Sequence, residues 1–199
     1  MAKEFASLRD VQSLVLDLIK VQRNHRIPGG EHRENVIEHS FSTAILCWKL
    51  FESIRPSLSL EKILKYALIH DALERGQEFD INTYAGQDER AQKKEREARE
   101  FLKLKNEFGD FRNFIETLDT YERLGDEEAI FVWSVDKMQA MILGGMDNWR
   151  PYALYGVTYD QFCRKGEEAL KKGSSCLRDV IQEVLEESKK TYYDRPQSL

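Results

Sequence analysis

The sequence predicts an all-α fold, a helical bundle of about six to seven helices. Apolar residues recur at helical spacing through most of the chain, as Leu14, Leu18 and Val21 illustrate. Leu, Glu, Lys, Arg and Ala, which favour helices, dominate the composition. The alternation of apolar and polar residues that is typical of strands extends over no useful length.

Capping and helix-breaking residues place the elements along the chain. Pro28, Gly29 and Gly30 mark a loop, Pro56 stops the second helix and Ser59 opens the third. The first expected elements are a helix from Ser7 or Asp10 to about Arg23 and the loop NHRIPGGEHRE. Helices are then expected at about 35–54, 59–74, 89–105, 111–123 and 127–143. A terminal helix at about 158–187, which Gly173 can break, and a frayed tail at 190–199 come last.

Length and composition limit the class of protein. A chain of 199 residues predicts one domain over residues 1–199. No apolar run approaches the ~18 residues that span a bilayer, and the start MAKEFASLRD lacks the apolar region of a signal peptide. We therefore expect a cytoplasmic protein that contacts no membrane.

The net charge argues against a nucleic-acid-binding protein, and the cysteine spacing argues against a protein built on disulfides or cysteine-bound metal. A net charge of −5 argues against binding a nucleic-acid polymer, which needs basic surface, but a small phosphorylated ligand needs only a local cluster of Lys and Arg. Cys47, Cys163 and Cys176 form neither a metal-binding pattern nor a disulfide framework.

Four ionisable residues lie where apolar helical faces would otherwise continue. They are His39, the adjacent pair His70 and Asp71, and Asp136. Burying such groups costs several kcal/mol unless they are paired or coordinate a metal. Three helices that each direct such groups inward predict one shared divalent cation. The tryptophans Trp48 and Trp133 lie on the same inward faces, which predicts core positions.

The ligand types narrow the choice of metal and suggest a base. Imidazole and carboxylate without thiolate suit Mn, Fe, Co, Zn or Mg, and four protein ligands leave positions of an octahedron open for water and substrate. Glu74 lies four residues after His70 and three after Asp71, on the same helical face. It is well placed to orient or deprotonate a water molecule at the cation.

The order and spacing of these residues resemble the HD-domain metal-dependent phosphohydrolases. The segments RENVIEHSFSTAIL, ALIHDALE and VDKMQAMIL are similar to those of bacterial 5'-deoxynucleotidases and their oxetanocin-related and phage relatives. The resemblance spans roughly residues 8 to 165. It implies a helical HD fold with His39, His70, Asp71 and Asp136 as metal ligands and Glu74 as the catalytic acid–base residue.

The resemblance also implies further site residues. Asp80 corresponds to an Asp that assists catalysis, although the spacer RGQEF before it is one residue longer than expected and has no Gly at the expected place. Arg26 corresponds to a phosphate contact, and Ile27 replaces the aromatic ring that follows it, so that Ile27 would touch the sugar or base.

The residues themselves add phosphate contacts. Arg23, Arg26 and Arg33 make the Gly-rich loop basic, and a guanidinium matches phosphate geometry, so at least one of them should bind phosphate. Lys93 and Lys94 offer a second phosphate contact, with a solvated helix face as the alternative.

We therefore expect a phosphomonoesterase of deoxyribonucleoside 5'-monophosphates. The alternatives are a deoxynucleoside triphosphate triphosphohydrolase, for which Lys93, Lys94 or Arg96 would supply extra contacts, a (p)ppGpp hydrolase, and a non-catalytic nucleotide sensor. Because HD nucleotidases of this kind are commonly dimeric, the resemblance also implies a homodimer.

Overall fold

The structure, a computed structural model, describes residues 2–77, 84 and 86–193. Within these ranges the chain forms a two-stranded antiparallel sheet and nine α-helices. In chain order the elements are α1 (Ala2–Lys20), β1 (Gln22–Arg26), β2 (Arg33–Asn35), α2 (Val36–Ile54), α3 (Leu60–Ile69), α4 (Gln87–Glu107), α5 (Arg112–Glu122), α6 (Glu127–Met146), α7 (Arg150–Leu154), α8 (Tyr159–Lys172) and α9 (Arg178–Tyr193).

The predicted helical fold is confirmed, and the described residues contain more helices than the six to seven expected. The expected terminal helix is interrupted at Gly173, where an added Cβ would lie 2.6 Å from the carbonyl oxygen of Ala169. A short helix, α7, also forms in a segment that was expected to be irregular. The tail prediction is wrong for residues 190–193, which continue α9; residues 194–199 lie outside the described part.

The expected loop at NHRIPGGEHRE is a β-hairpin instead. Gln22 pairs with Asn35 and Arg26 with Arg33, and Gly29 takes a φ of 83° in the turn between the strands. Helix α1 therefore ends at Lys20, short of the predicted Arg23. The strands escaped prediction because their residues are almost all polar, which leaves no apolar alternation to detect.

Two apolar clusters hold the helices together. One joins α2, α3 and α6 to α8 and α9, and the other packs α1, α4 and α5 against the start of α2. The first cluster includes Trp149, only 1% exposed, whose ring packs edge-on against Phe162 and Tyr192. The core prediction for Trp48 is wrong, since half of this residue is exposed. No helix among the described residues is both long and apolar enough to cross a membrane.

Gly144 lets α6 pack directly against the buried rings of Trp149 and Tyr152. We expect Gly144→Ala to lower the free energy of unfolding by ~1–3 kcal/mol. A Cβ there would lie 2.7 Å from Tyr152 and 2.9 Å from Trp149. Neither ring has room to move, because both are buried.

Gly145→Ala is the matched control in the same helix. Its Cβ would meet Trp149 at an ordinary 3.5 Å. Alanine favours a helix over glycine by ~0.5–1 kcal/mol, so Gly145→Ala should be neutral or stabilising. Urea unfolding of both variants measures the difference; equal effects would contradict the close packing at Gly144.

Candidate metal centre

The structure brings the four predicted metal ligands together from three helical segments. His39 lies on α2, Asp136 on α6, and His70 and Asp71 directly after α3. His39 Nε2 lies 3.0 Å from Asp136 Oδ1 and 3.6 Å from Asp71 Oδ2, which is itself 3.3 Å from His70 Nε2. One ligand atom each from His39, His70 and Asp136 fall within 4.8 Å of one another, and all three residues are buried. These residues form a candidate metal site.

The end of α3 sets the orientation of His70. The prediction that this helix continues to Glu74 is wrong: α3 ends at Ile69, and a 3₁₀ turn over Ala72–Glu74 follows. His70 Nδ1 lies 2.9 Å from the carbonyl oxygen of Ala67, which can only accept a hydrogen bond. Nδ1 therefore carries a proton, and Nε2 is the ring nitrogen that faces the carboxylates.

Nε2 of His70 is buried, and within the described residues it has no hydrogen-bond partner. A buried nitrogen lone pair directed at two carboxylates is unfavourable unless something positive lies between them. The donor set therefore fits a divalent cation, with neutral imidazoles and ionised carboxylates as its ligands.

His39 lies between two carboxylates. Its Nε2 faces Asp136, and its Nδ1 lies 3.5 Å from Glu34 Oε2. Burial and the Arg23 charge lower the pKa of His39, but the contacts with Asp136 and Glu34 outweigh them and the net shift of the pKa is upward. The ring is thus held in an anionic pocket that also attracts a cation.

Two basic residues keep the ligand carboxylates ionised. Arg23 donates to Asp71 Oδ2 at 2.6 Å, and Lys137 Nζ lies 2.7 Å from Asp136 Oδ2. Burial raises the pKa of each carboxyl, but these cations and the nearby histidines lower both pKa values below the usual range. Arg23 belongs to the basic segment of the sequence. Lys137 was not predicted, and its only sign in the sequence is a charged residue within an apolar run.

Glu74 is buried beside the candidate metal site. It is 4% exposed, and its backbone nitrogen donates to the carbonyl of Asp71 at 3.0 Å. Lys93 on α4 reaches Glu74 Oε1 at 2.8 Å and Glu97 at 3.7 Å. Lys93 thus forms an ion pair with the predicted catalytic carboxylate. Its neighbour Lys94 lines a cavity next to Asp136. Asp80 lies outside the described residues.

Three predicted substrate contacts, Arg26, Ile27 and Arg33, lie on the β-hairpin or in its turn. Arg26 forms an ion pair with Glu31 inside the hairpin, and Ile27 is 38% exposed in the turn. Arg33 pairs across the sheet with Arg26. None of these three residues lines the cavity that adjoins the ligands. Substrate binding by Arg26, Ile27 and Arg33 stays a prediction.

A cavity of about 480 Å³ adjoins Asp136 and Arg23. Its volume is in the range of small-molecule sites, roughly 300–1,000 Å³. The wall combines cationic side chains with aromatic rings. The cations are Arg23, Arg90, Lys94, Lys137 and Lys165, and the rings are those of Tyr84, Trp133, Tyr152, Tyr155 and Phe162. Such a wall can take a ligand with both an anionic group and a flat ring.

Comparison with known proteins agrees with the helical fold. A predicted metal-dependent phosphohydrolase from Magnetospirillum magnetotacticum MS-1, known from a crystal structure at 1.37 Å resolution, has a similar fold with a TM-score of 0.74. The two chains are 22% identical over 95% of this chain and 96% of that one. No curated protein matches the chain. Residues 16–178 match the HD domain family, and the chain therefore belongs to that family.

Proposed function

We propose that this protein is a metal-dependent phosphohydrolase that removes the 5'-phosphate from deoxyribonucleoside 5'-monophosphates. The observation that carries the proposal is the cavity beside Asp136, where cations and aromatic rings adjoin the candidate metal site. The similar fold of the phosphohydrolase from M. magnetotacticum supports the class of reaction. The segments shared with 5'-deoxynucleotidases support the substrate.

In this proposal His39, His70, Asp71 and Asp136 hold the divalent cation. The cation would lower the pKa of a water molecule from about 15.7 toward ~7–9 and offset charge on the phosphate. Glu74 then accepts a proton from the attacking water, whose oxygen forms a bond to phosphorus as the bond from phosphorus to the 5'-oxygen breaks. Asp80 is the predicted donor of a proton to the leaving oxygen.

The other residues bind and orient the substrate. Arg23 and Lys137 already contact the carboxylates of Asp71 and Asp136, so they are placed to neutralise phosphate oxygens beside the metal. Lys93 forms an ion pair with Glu74 and so orients its carboxylate. The rings of Trp133 and Tyr152 offer surfaces on which a nucleobase can stack.

A second candidate is hydrolysis of deoxynucleoside triphosphates at the α-phosphate. Arg90 and Lys94 on α4 favour it, since both line the cavity and have no ion-pair partner among the described residues. A single phosphate beside Arg23 and Lys137 leaves these two cations unused, whereas a triphosphate can reach more of them.

The test is a panel of nucleoside mono- and triphosphates with Mn²⁺, Co²⁺, Mg²⁺ or Zn²⁺, with every product resolved. We expect dAMP to yield deoxyadenosine and inorganic phosphate, and AMP to react more slowly by up to ~10²-fold, the most that an apolar wall achieves against an added hydroxyl. Equal kcat/KM for dAMP and AMP would exclude the deoxynucleotidase. Release of tripolyphosphate from dATP would identify the second candidate.

A further inference from the structure

Glu34 is a buried carboxylate that no step of the reaction above uses. It lies on β2, directly before the residue that caps α2, and is only 2% exposed. Removing a carboxylate from water costs several kcal/mol unless charges or hydrogen bonds compensate. The partners of Glu34 therefore indicate why a charge is kept at this position.

Three side chains surround the Glu34 carboxylate. Gln139 Nε2 donates to Oε1 at 2.9 Å. Oε2 lies 3.5 Å from both His39 Nδ1 and Arg23 Nε. These two contacts are longer than usual hydrogen bonds, and neither Glu34 Oε2 nor His39 Nδ1 has a hydrogen-bond partner among the described residues.

Each partner of Glu34 leads to a predicted metal ligand. His39 is itself a ligand, and Arg23 donates to Asp71. Gln139 lies three residues after Asp136 on α6, on the same face of the helix. One carboxylate thus contacts one predicted ligand directly, a second through Arg23, and the helix that bears a third through Gln139.

We propose that Glu34 is a positioning residue of the metal site, accepting the Nδ1 proton of His39 so that the lone pair on Nε2 faces the cation. The inference rests on the metal site of the proposed function. Metal-binding histidines commonly present their second N–H to a carboxylate, and loss of that partner weakens metal binding by about 10- to 100-fold. Nothing in the sequence marked Glu34, because the residue fell in an expected loop.

The first test compares Glu34→Gln with Asp147→Asn. Both changes neutralise a buried carboxylate that contacts an arginine, but Asp147 pairs with Arg150 instead of any ligand. Binding of Co²⁺ alone, followed by calorimetry and by the visible absorption of the ion, is the readout. We expect Glu34→Gln to bind Co²⁺ about 10- to 100-fold more weakly than the wild type, and Asp147→Asn to bind it equally well.

The second readout is the Nδ1 proton of His39 in the Zn²⁺-loaded protein, by nitrogen-15 NMR. The chain has only four histidines, so the signal is assigned by its absence in His39→Gln. In the wild type we expect a proton on Nδ1 that exchanges slowly and is shifted downfield by the carboxylate. Glu34→Gln should shift it upfield and speed its exchange, which a merely structural role for Glu34 would not do.

The outcomes separate this inference from the proposed function. Wild-type affinity for Co²⁺ in Glu34→Gln, with an unchanged Nδ1 signal, would overturn the role of Glu34 alone. A wild type that binds no Co²⁺ would overturn the metal site and this inference together. Should Glu34→Gln fail to fold, Gln139→Leu loosens Glu34 while keeping its charge. We then expect a smaller weakening of Co²⁺ binding, and an unchanged affinity would reject the proposal.

Discussion

His70→Ala is expected to remove the bound metal and to lower phosphate-ester hydrolysis by about 10³-fold or more, while most of the helical content remains. The imidazole presents Nε2 to the carboxylates of Asp71 and Asp136, and alanine has no atom that can replace it. Without His70 the cation loses one of its predicted ligands. The activity should therefore fall because the metal no longer binds.

The helices should survive this change because the fold does not depend on the ring of His70. The apolar clusters lie to either side of it in sequence: Ala67 belongs to one, and Ala72 and Leu73 belong to the other. Removing one buried imidazole leaves a small cavity, and the carboxylates of Asp71 and Asp136 keep their contacts with Arg23 and Lys137. Circular dichroism should therefore change little, whereas metal content falls to zero.

His32→Ala is the matched control. The ring of His32 is exposed and contacts the exposed carboxylate of Glu38, so its loss should leave metal content and turnover unchanged. Asp71→Ala should behave as His70→Ala does, and elemental analysis measures both. Stoichiometric metal in either variant would remove that residue from the coordination sphere.

The candidate metal ligands could be found from the sequence because each is an ionisable residue at a position where an apolar one is expected. His39 and Asp136 interrupt apolar helical faces, and such faces must pack inward wherever the helices lie. Three inward-facing ionisable groups then converge almost by necessity, and the structure places His39, His70 and Asp136 together. The start of the third helix followed from its cap Ser59, whose side chain accepts from the backbone of Lys62.

The surrounding contacts were not accessible in this way. Glu34 and Arg23 lie on strands made of polar residues, where no periodicity reveals which side chains turn inward. Their burial is set by the pairing of β1 with β2 and by contact with α6, which are long-range effects. The same pairing explains why Arg26, beside the turn, forms an ion pair with Glu31 instead of reaching the cavity. The basic loop predicted that at least one of its arginines lies at the site. Which arginine contacts a candidate ligand, here Arg23, depends on the fold.

Glu74→Gln should separate binding from chemistry: kcat falls by ~10²–10⁴-fold, the usual loss for a positioned general base, while metal and nucleotide still bind. Glutamine keeps the size of the side chain but cannot accept a proton from water at neutral pH. The four predicted ligands are untouched, so Co²⁺ affinity should stay close to that of the wild type. Single-turnover measurements with saturating metal isolate the chemical step.

Two comparisons identify what Glu74 contributes. Lys93→Gln breaks the same ion pair from the other side and keeps the carboxylate, so its kcat should fall far less than that of Glu74→Gln. Glu107→Gln removes a half-exposed carboxylate that pairs with Arg75, the residue after Glu74, and should leave kcat unchanged. If Glu74→Gln turned over at the wild-type rate, or no more slowly than Lys93→Gln, the carboxylate would serve only to bind Lys93. Water would then have to lose its proton to another group.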